Sequence, residues 1–524
     1  MQLKYPYDSY LGFITIAVLS LFAPTVSNAQ DHYWSQQYGG KATLTGGTEV
    51  AGSTDNSAIY YNPGAVGFVD STRITASTYI YGFEYILLKN GAGNGVALKN
   101  LHANILPQLL AGGITIKKVP RLKLIIGTLT RGRTNVRFNQ EREGFNEVIN
   151  GSPGPEYYQA RVEHSYNSVE QWAGFGLAYK LSDHWSIGLS SFATYTHMEV
   201  RASENTSADA TENGTPYNTT VNEYNSMRIN QFMHVFKVGV AARYKHVQFG
   251  AALTLPGIRV WGEGKLEKSF EVYNLNQNAS DTSMPAQKYS SYVISDVQRH
   301  LKTYYRIPLS ASAGFKLIFP RVTISLAAEY FMGNKDKILM HGKDRAVLHP
   351  SSLYANDTIE GFMTLRNSAR SVINAGIGAE VKVTPTLDVL LGIRTDFSNH
   401  SEFLPNNSAI GVSTVRSPTW DYIHISNGFN YKLALHSLAM GLDYGFGFST
   451  NKQQIFNLTE PQQNNFLRGQ PGNNMLTIAH RLDFILSYTY YFPKKEKSHG
   501  PLAIVEEIKK ERKQKKMRKA KEGK

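Results

Sequence analysis

The chain predicts an all-β fold, a transmembrane β-barrel of 14 antiparallel strands. Three observations predict it: long runs of alternating apolar and polar residues, a regular asymmetry of the connections, and an even strand count. Six times two alternating runs meet at a tight turn, while loops of about 15 to 40 residues separate the pairs. Short turns on one side and long loops on the other are the asymmetry of an outer-membrane-type barrel, with the short turns periplasmic.

Taken in order, Met1–Ala29 reads as a secretory signal, with Lys4 in the n-region, Leu11–Val26 as the apolar segment and Ser27-Asn28-Ala29 as the cleavage site. The mature chain then begins at Gln30. Gln30–Ser71 precedes the first strand and is the natural plug. A barrel of this width encloses a lumen that wall side chains do not fill, so something must occupy it. Within this segment Asn62-Pro63 reads as a turn, because proline fixes φ and biases the residue before it towards extended backbone. Gly64 then permits whatever backbone shape follows.

The barrel itself occupies 72–492. Its first strand lies near Thr72–Glu84 and its last near Ile478–Phe492, with six hairpins between them. Their turns fall at Lys117–Arg121, Leu181–His184, Lys245–His246, Phe319–Arg321, Thr384–Thr386 and Ala434–Ser437. The alternation is clearest near the end. Leu438, Met440, Leu442, Tyr444, Phe446 and Phe448 share one face, while Ala439, Gly441, Asp443, Gly445 and Gly447 share the other. Such runs exceed ten residues, long enough to cross a bilayer at a tilt. Tyr179, Trp185, Tyr244, Tyr330 and Tyr431 stand near strand ends, where amphipathic rings settle at headgroup level.

Read by the same alternation, the lumen receives Lys237, Arg243, Lys316, Glu329, Glu380, Lys382, Arg394, Asp396, Asp443, Arg481 and Asp483. Most such charges pair with one another or hold the plug. Lys237, Lys316 and Arg394 are the candidates to hold a ligand carboxylate beside an apolar pocket. Among the outer loops, Ser203–Ser226 reads as a solvated crown, the longest loops as Lys265–Arg299 and Asp336–Arg366, and Leu98–Leu110 as apolar sequence beside the mouth. The chain has no cysteine, so disulfide and thiol chemistry are excluded.

The stretch after the signal carries a resemblance. Tyr38-Gly39-Gly40 leads to Gly46-Gly47-Thr48 and then to Asp55–Ala65, which ends in Asn62-Pro63-Gly64-Ala65. This resembles the FadL family of outer-membrane transporters of hydrophobic compounds, with one departure: the family's element is Asn-Pro-Ala, and here Gly64 stands between Pro63 and Ala65. The resemblance implies a barrel of the strand number counted above and an N-terminal hatch at 30–71. It also implies passive uptake of long-chain fatty acids or hydrocarbons in the outer membrane of a Gram-negative bacterium, by a monomer without cofactor or metal. It further implies a kink in the third strand that opens a lateral route. Here the alternation of that strand breaks at Leu124-Ile125-Ile126-Gly127, and glycine in a strand often marks a bend. A subgroup similar to the family serves the type IX secretion system as a shuttle, which is the alternative reading.

A third reading is enzymatic. His424-Ile425-Ser426-Asn427 resembles the His-x-Ser-Asn element of outer-membrane phospholipase A, in which a histidine activates a serine two residues away on one strand face. Here Ile423, Ile425, Phe429, Tyr431 and Leu433 form the lipid-facing set, which turns His424 and Ser426 inward, away from lipid. The sequence is therefore read as a non-enzyme. The tail, 493–524, holds 13 Lys or Arg against 5 Glu. It is a solvated periplasmic extension able to meet anionic surfaces. Nucleic acid is not a partner in that compartment; hydrophobic small molecules, membrane lipid and lipopolysaccharide are.

The topology predicts that single cysteines at Asn213 and Asn278 react with an impermeant maleimide on intact cells, whereas one at Asp183 is protected. Labelling at Asp183 from outside inverts the orientation.

Overall fold

The computed structural model describes residues 32–493, apart from 54, 70–71, 117, 151, 213, 276–289, 350–358, 400–412 and 415–419. The signal segment and the basic tail beyond 493 therefore lie outside the described residues, as do Asn213 and Asn278. The strands are β1 (Arg73–Lys89), β2 (Leu98–Thr115), β3 (Leu122–Asn146), β4 (Glu156–Lys180), β5 (Trp185–Glu212), β6 (Thr215–Arg243) and β7 (Val247–Thr254). They continue with β8 (Ile258–Leu275), β9 (Ser290–Lys302), β10 (Ser310–Ile318), β11 (Val322–Phe331), β12 (Asn334–His341) and β13 (Thr364–Ala369). The last are β14 (Val372–Lys382), β15 (Leu387–Asp396), β16 (Ser413–Thr414), β17 (Asp421–Lys432), β18 (His436–Lys452) and β19 (Met475–Tyr491).

Fourteen of these close a ring: β1 to β7, then β10, β11, β14, β15, β17, β18 and β19, which pairs back onto β1. Every ring neighbour is antiparallel, so each backbone group in the ladder has its partner in the wall. All six hairpins stand at the turns read from the sequence. The faces also agree: Met440, Tyr444, Phe446 and Phe448 are exposed outward, while Ala439, Asp443, Arg481 and Asp483 are buried inside. Arg243 and Lys382, placed in the lumen by alternation, are instead exposed beside their turns, where the interior has already ended.

The outer half differs more. Ser203–Ser226 is not a loop, because β5 and β6 run as one ladder to Glu212–Thr215. Its inward positions are Thr206, Ala208, Ala210 and Val221, all buried. The alternation persists there with small residues and so escapes a count of large apolar ones. Leu98–Leu110 is strand β2, and most of Lys265–Arg299 belongs to β8 and β9. The connection from β18 to β19 folds across the mouth. Leu458 and Leu467 are fully buried there, and Tyr158 Oη donates to Leu467 O at 3.0 Å. Arg468 bridges Glu223 on β6 at 2.8 Å and Glu204 on β5 at 3.4 Å.

The segment between residues 32 and 69 lies inside the ring as two short helices, α1 (Gly40–Leu44) and α2 (Ala58–Tyr61), and two 3₁₀ turns, Glu49–Ala51 and Pro63–Phe68. It meets the wall where the wall has no side chain. A Cβ added at Gly188 would collide with Pro63, at Gly239 with Asn62, at Gly250 with Val50, at Gly392 with Gly46, and at Gly441 with Leu44. These glycines come from strands all around the ring, so one backbone is seated directly against many others.

Asn62 is extended at φ −158°, as a pre-proline residue should be. Its Oδ1 caps the following turn by accepting from Gly64 N at 2.9 Å, and its Nδ2 donates to Val50 O at 2.8 Å and Val240 O at 2.9 Å. Pro63 and Ala65 are buried in the same turn. Gly64 is required for closeness and not for an unusual φ: a Cβ there would lie 2.8 Å from Gly239 O. Gly239→Val should therefore overpack this contact and cost about 1–3 kcal/mol. Urea unfolding and protease release of the N-terminal segment measure it, with Gly112→Ala, whose added Cβ would meet one side chain at an ordinary 3.9 Å, as the neutral control.

Candidate functional site

The interior is layered, and the layers sort the predicted residues. Near the turns, the N-terminal segment is pinned by ion pairs: Lys41 with Glu380, and Lys316 Nζ with Glu49 Oε1 at 2.8 Å. Lys316 also donates to Gly52 O at 2.6 Å, so this candidate is already occupied.

Arg394 is occupied as well. It clasps Asp443 with two bonds of 2.8 and 2.7 Å, and its Nε donates to Trp34 O at 3.3 Å. His424 Nδ1 stands 3.0 Å from both Arg394 and Asp443, so its tautomer decides which of them it meets. Trp34 closes the network, its backbone N donating to Asp396 Oδ1 at 2.8 Å and its Nε1 to Glu329 Oε2 at 3.0 Å.

Ser426 is buried beside this network, yet its Oγ donates to Gly392 O at 3.4 Å, and among the described residues no hydrogen bond joins it to His424. The register of β17 with β15 and β18 is unbroken through Asn427. His424 and Ser426 therefore line the interior, and Ile423 and Ile425 face outward.

Lys237 is different. It is 2% exposed, and its Nζ lies 4.8 Å from the centre of the Tyr60 ring. A second cation, Arg131, lies 5.8 Å over the Tyr33 ring. Among the described residues neither makes an ion pair with a carboxylate. Glu329 is taken by Trp34 and by Ser310 Oγ at 2.7 Å; Glu170 is taken by Trp172 Nε1 at 2.7 Å and Tyr305 Oη at 3.2 Å.

Around the two cations stand aromatic walls: Tyr60 beside Tyr38 at 4.3 Å and Trp172 at 6.0 Å, with Tyr33 stacked on Phe331 at 4.3 Å. The cavity lined by Tyr60, Arg131, Trp172, Ile307, Glu329 and Phe331 is about 10 Å³, room for one water. An unpaired buried cation is costly, and ring faces return only about 2 kcal/mol even when desolvated.

Arg131 owes its position to a bulge. The β3–β4 register slips between Thr130 and Gly132, which leaves Arg131 as the extra residue. The expected irregularity at Ile125, Ile126 and Gly127 is thus corrected: these residues pair regularly with Gly113, Gly112 and Ala111. Ile125 is buried against the N-terminal segment and Ile126 is exposed, which accounts for the consecutive apolar residues.

Beside the bulge the wall opens. β2 and β3 pair only from Thr115–Lys123 to Leu109–Leu129. Beyond that, β2 stays with β1 and β3 with β4, and Arg133 to Ile105 O at 3.3 Å and Arg137 N to Asn100 Oδ1 at 3.0 Å span the seam. Arg131, Tyr60 and Trp172 were not singled out from sequence. A bulge is invisible to alternation, and the only signal was the Gly132 that follows.

The fold and this interior define a class, a closed 14-stranded barrel with its N-terminal segment threaded inside. The fold is that of a Pseudomonas aeruginosa FadL homologue, to which the chain is similar at 14% identity and a TM-score of 0.51, over 89% of this chain and 100% of that one. It is also similar to a deltaS2 mutant of the TodX monoaromatic hydrocarbon channel, at 10% identity and a TM-score of 0.51, over 87% and 99%. A deltaS2S3 mutant of the same channel gives 11% identity and a TM-score of 0.50, over 87% and 100%. No family model and no curated protein matches the chain.

The two kinds of buried cation predict opposite outcomes. Arg394→Met leaves Asp443 buried without its partner and should cost about 3–5 kcal/mol. Lys237→Met removes a charge that no carboxylate compensates and should leave stability equal or higher. Equilibrium unfolding in urea checks both.

Proposed function

We propose that the chain is a passive outer-membrane transporter of hydrophobic molecules, long-chain fatty acids or hydrocarbons, using neither ATP nor a cofactor. The observation that carries this reading is the pair of cations that make no ion pair among the described residues, buried Lys237 and half-buried Arg131, set beside Tyr60 and Tyr33. A fatty acid offers what that site lacks, one carboxylate for the cations and an apolar chain for the rings.

The belt of exposed Ile377, Leu391, Ile423, Phe429, Tyr444 and Phe484 supports a bilayer around the wall. The segment 32–69 is the hatch. Because Tyr60 belongs both to it and to the wall of a cavity with room for one water, loading the site and shifting the hatch are one event. The seam between β2 and β3, edged by exposed Leu101 and Ile105, supports a lateral route towards lipid.

One observation favours the type IX shuttle as a second reading. The mouth is closed by the β18–β19 connection, and β5 and β6 run for 28 and 29 residues, where about 10 cross a bilayer. That leaves a broad outer surface for a protein.

Uptake into vesicles separates the readings. In a Lys237→Met/Arg131→Met double variant, entry of a long-chain fatty acid should fall about tenfold, the equivalent of 1.4 kcal/mol, while a neutral hydrocarbon enters as before. Unchanged fatty-acid entry removes the anion role; a wild type that passes neither compound favours the shuttle.

A further inference from the structure

One patch on the outer wall joins aromatic rings and cations that make no ion pair. Phe232 on β6 and Trp261 on β8 meet at 5.9 Å, and Tyr195 on β5 packs on Phe232 at 4.9 Å. The register of β6 with β8 passes from Phe232–Trp261 to Met233–Arg259, so Val260 is the extra residue and both Val260 and Trp261 are exposed. Tyr304, just past β9, is exposed beside them, with Arg259 Cζ at 5.9 Å and Lys302 Nζ at 5.5 Å from its ring centre. Arg306 follows two residues on and is exposed on the same side.

Among the described residues, Arg259, Lys302 and Arg306 make no ion pair. The nearby Glu263 is held by His300 Nδ1 at 2.6 Å. Other exposed arginines of the outer half, Arg137, Arg201 and Arg345, have carboxylate partners at 2.5 to 2.9 Å. A cluster left unpaired beside paired ones is a place for an external anion.

Its height says which anion. Phe232 is 12 residues from Tyr244 along β6, which at about 3.3 Å per residue and a tilt of about 40° is roughly 30 Å, the outer edge of an apolar band. A groove of about 720 Å³ on the outward side of β5, β6, β7 and β10, lined by Ile187, Leu189, Val238, Leu253 and Ala311, lies far below it, near the short turns, and shares no residue with the patch. The groove has a cause inside the barrel: Gly188 and Gly239 let the wall draw in against Asn62-Pro63.

We propose that this patch holds one phosphorylated glycolipid of the outer leaflet, its phosphate among Arg259, Lys302 and Arg306 and its sugar against the rings of Trp261 and Tyr304. The proposal rests on the membrane reading above and is separable from it.

The full-length protein is inserted into phosphatidylcholine vesicles, titrated with purified lipid A, and read by the fluorescence of Trp261, with Trp261→Phe as the blank. The wild type should saturate at one lipid per barrel, and an Arg259→Gln/Lys302→Gln/Arg306→Gln variant should bind at least tenfold more weakly. Leu189→Phe, in the groove far below the cations, should leave binding unchanged, and inorganic phosphate at millimolar concentration should not displace the lipid. An inserted barrel whose triple variant binds lipid A as the wild type does overturns the glycolipid site alone, as does displacement by free phosphate. A barrel that fails to insert overturns the membrane reading with it.

Discussion

Closure of the hydrogen-bond ladder is the constraint from which the rest of the structure follows. Once β19 pairs with β1 there is no edge in the ring, and every strand must put one face inside and one outside. The inside then has to be filled. Side chains of 14 strands do not reach the axis, so a length of backbone is taken in, and the wall makes room by presenting glycine where that backbone passes. The same glycines draw the wall inward and shape its outer surface at Ile187, Leu189 and Val238. One packing decision therefore acts on both faces.

Charge inside the barrel divides by function along the same lines. Lys41, Lys316 and Arg394 each have a carboxylate partner, and each touches or borders the N-terminal segment. They hold it. Arg131 and Lys237 have only rings against them, which is a poorer compensation for burial.

The outer half extends the barrel well past any bilayer and closes it. Val136, Tyr158, Met198, Leu266, Phe270 and Leu467 form one apolar cluster there, with Arg468 tying the cap to β5 and β6. The inner end is closed by the N-terminal segment and the outer end by this cap. What remains open in the ladder is the seam beside Arg131, where β2 and β3 part.

Alternation and turn spacing determined the strand number, the hairpin positions and the facing of His424, Ser426 and Asp443, because side-chain direction in a strand has a period of two and needs no knowledge of neighbours. The absence of cysteine chemistry and the Asn62-Pro63 turn were equally legible, being properties of single segments. The sequence could not say which buried charge lacks a partner: Lys237, Lys316 and Arg394 look alike along a strand, and only the meeting of Lys316 with Glu49 and of Arg394 with Asp443 tells them apart. Nor could it locate the bend of β3, since a bulge shifts the alternation by one residue and leaves no mark in composition. Arg131 faces Tyr33 because of that single extra residue in the register, a choice made between strands and not within one.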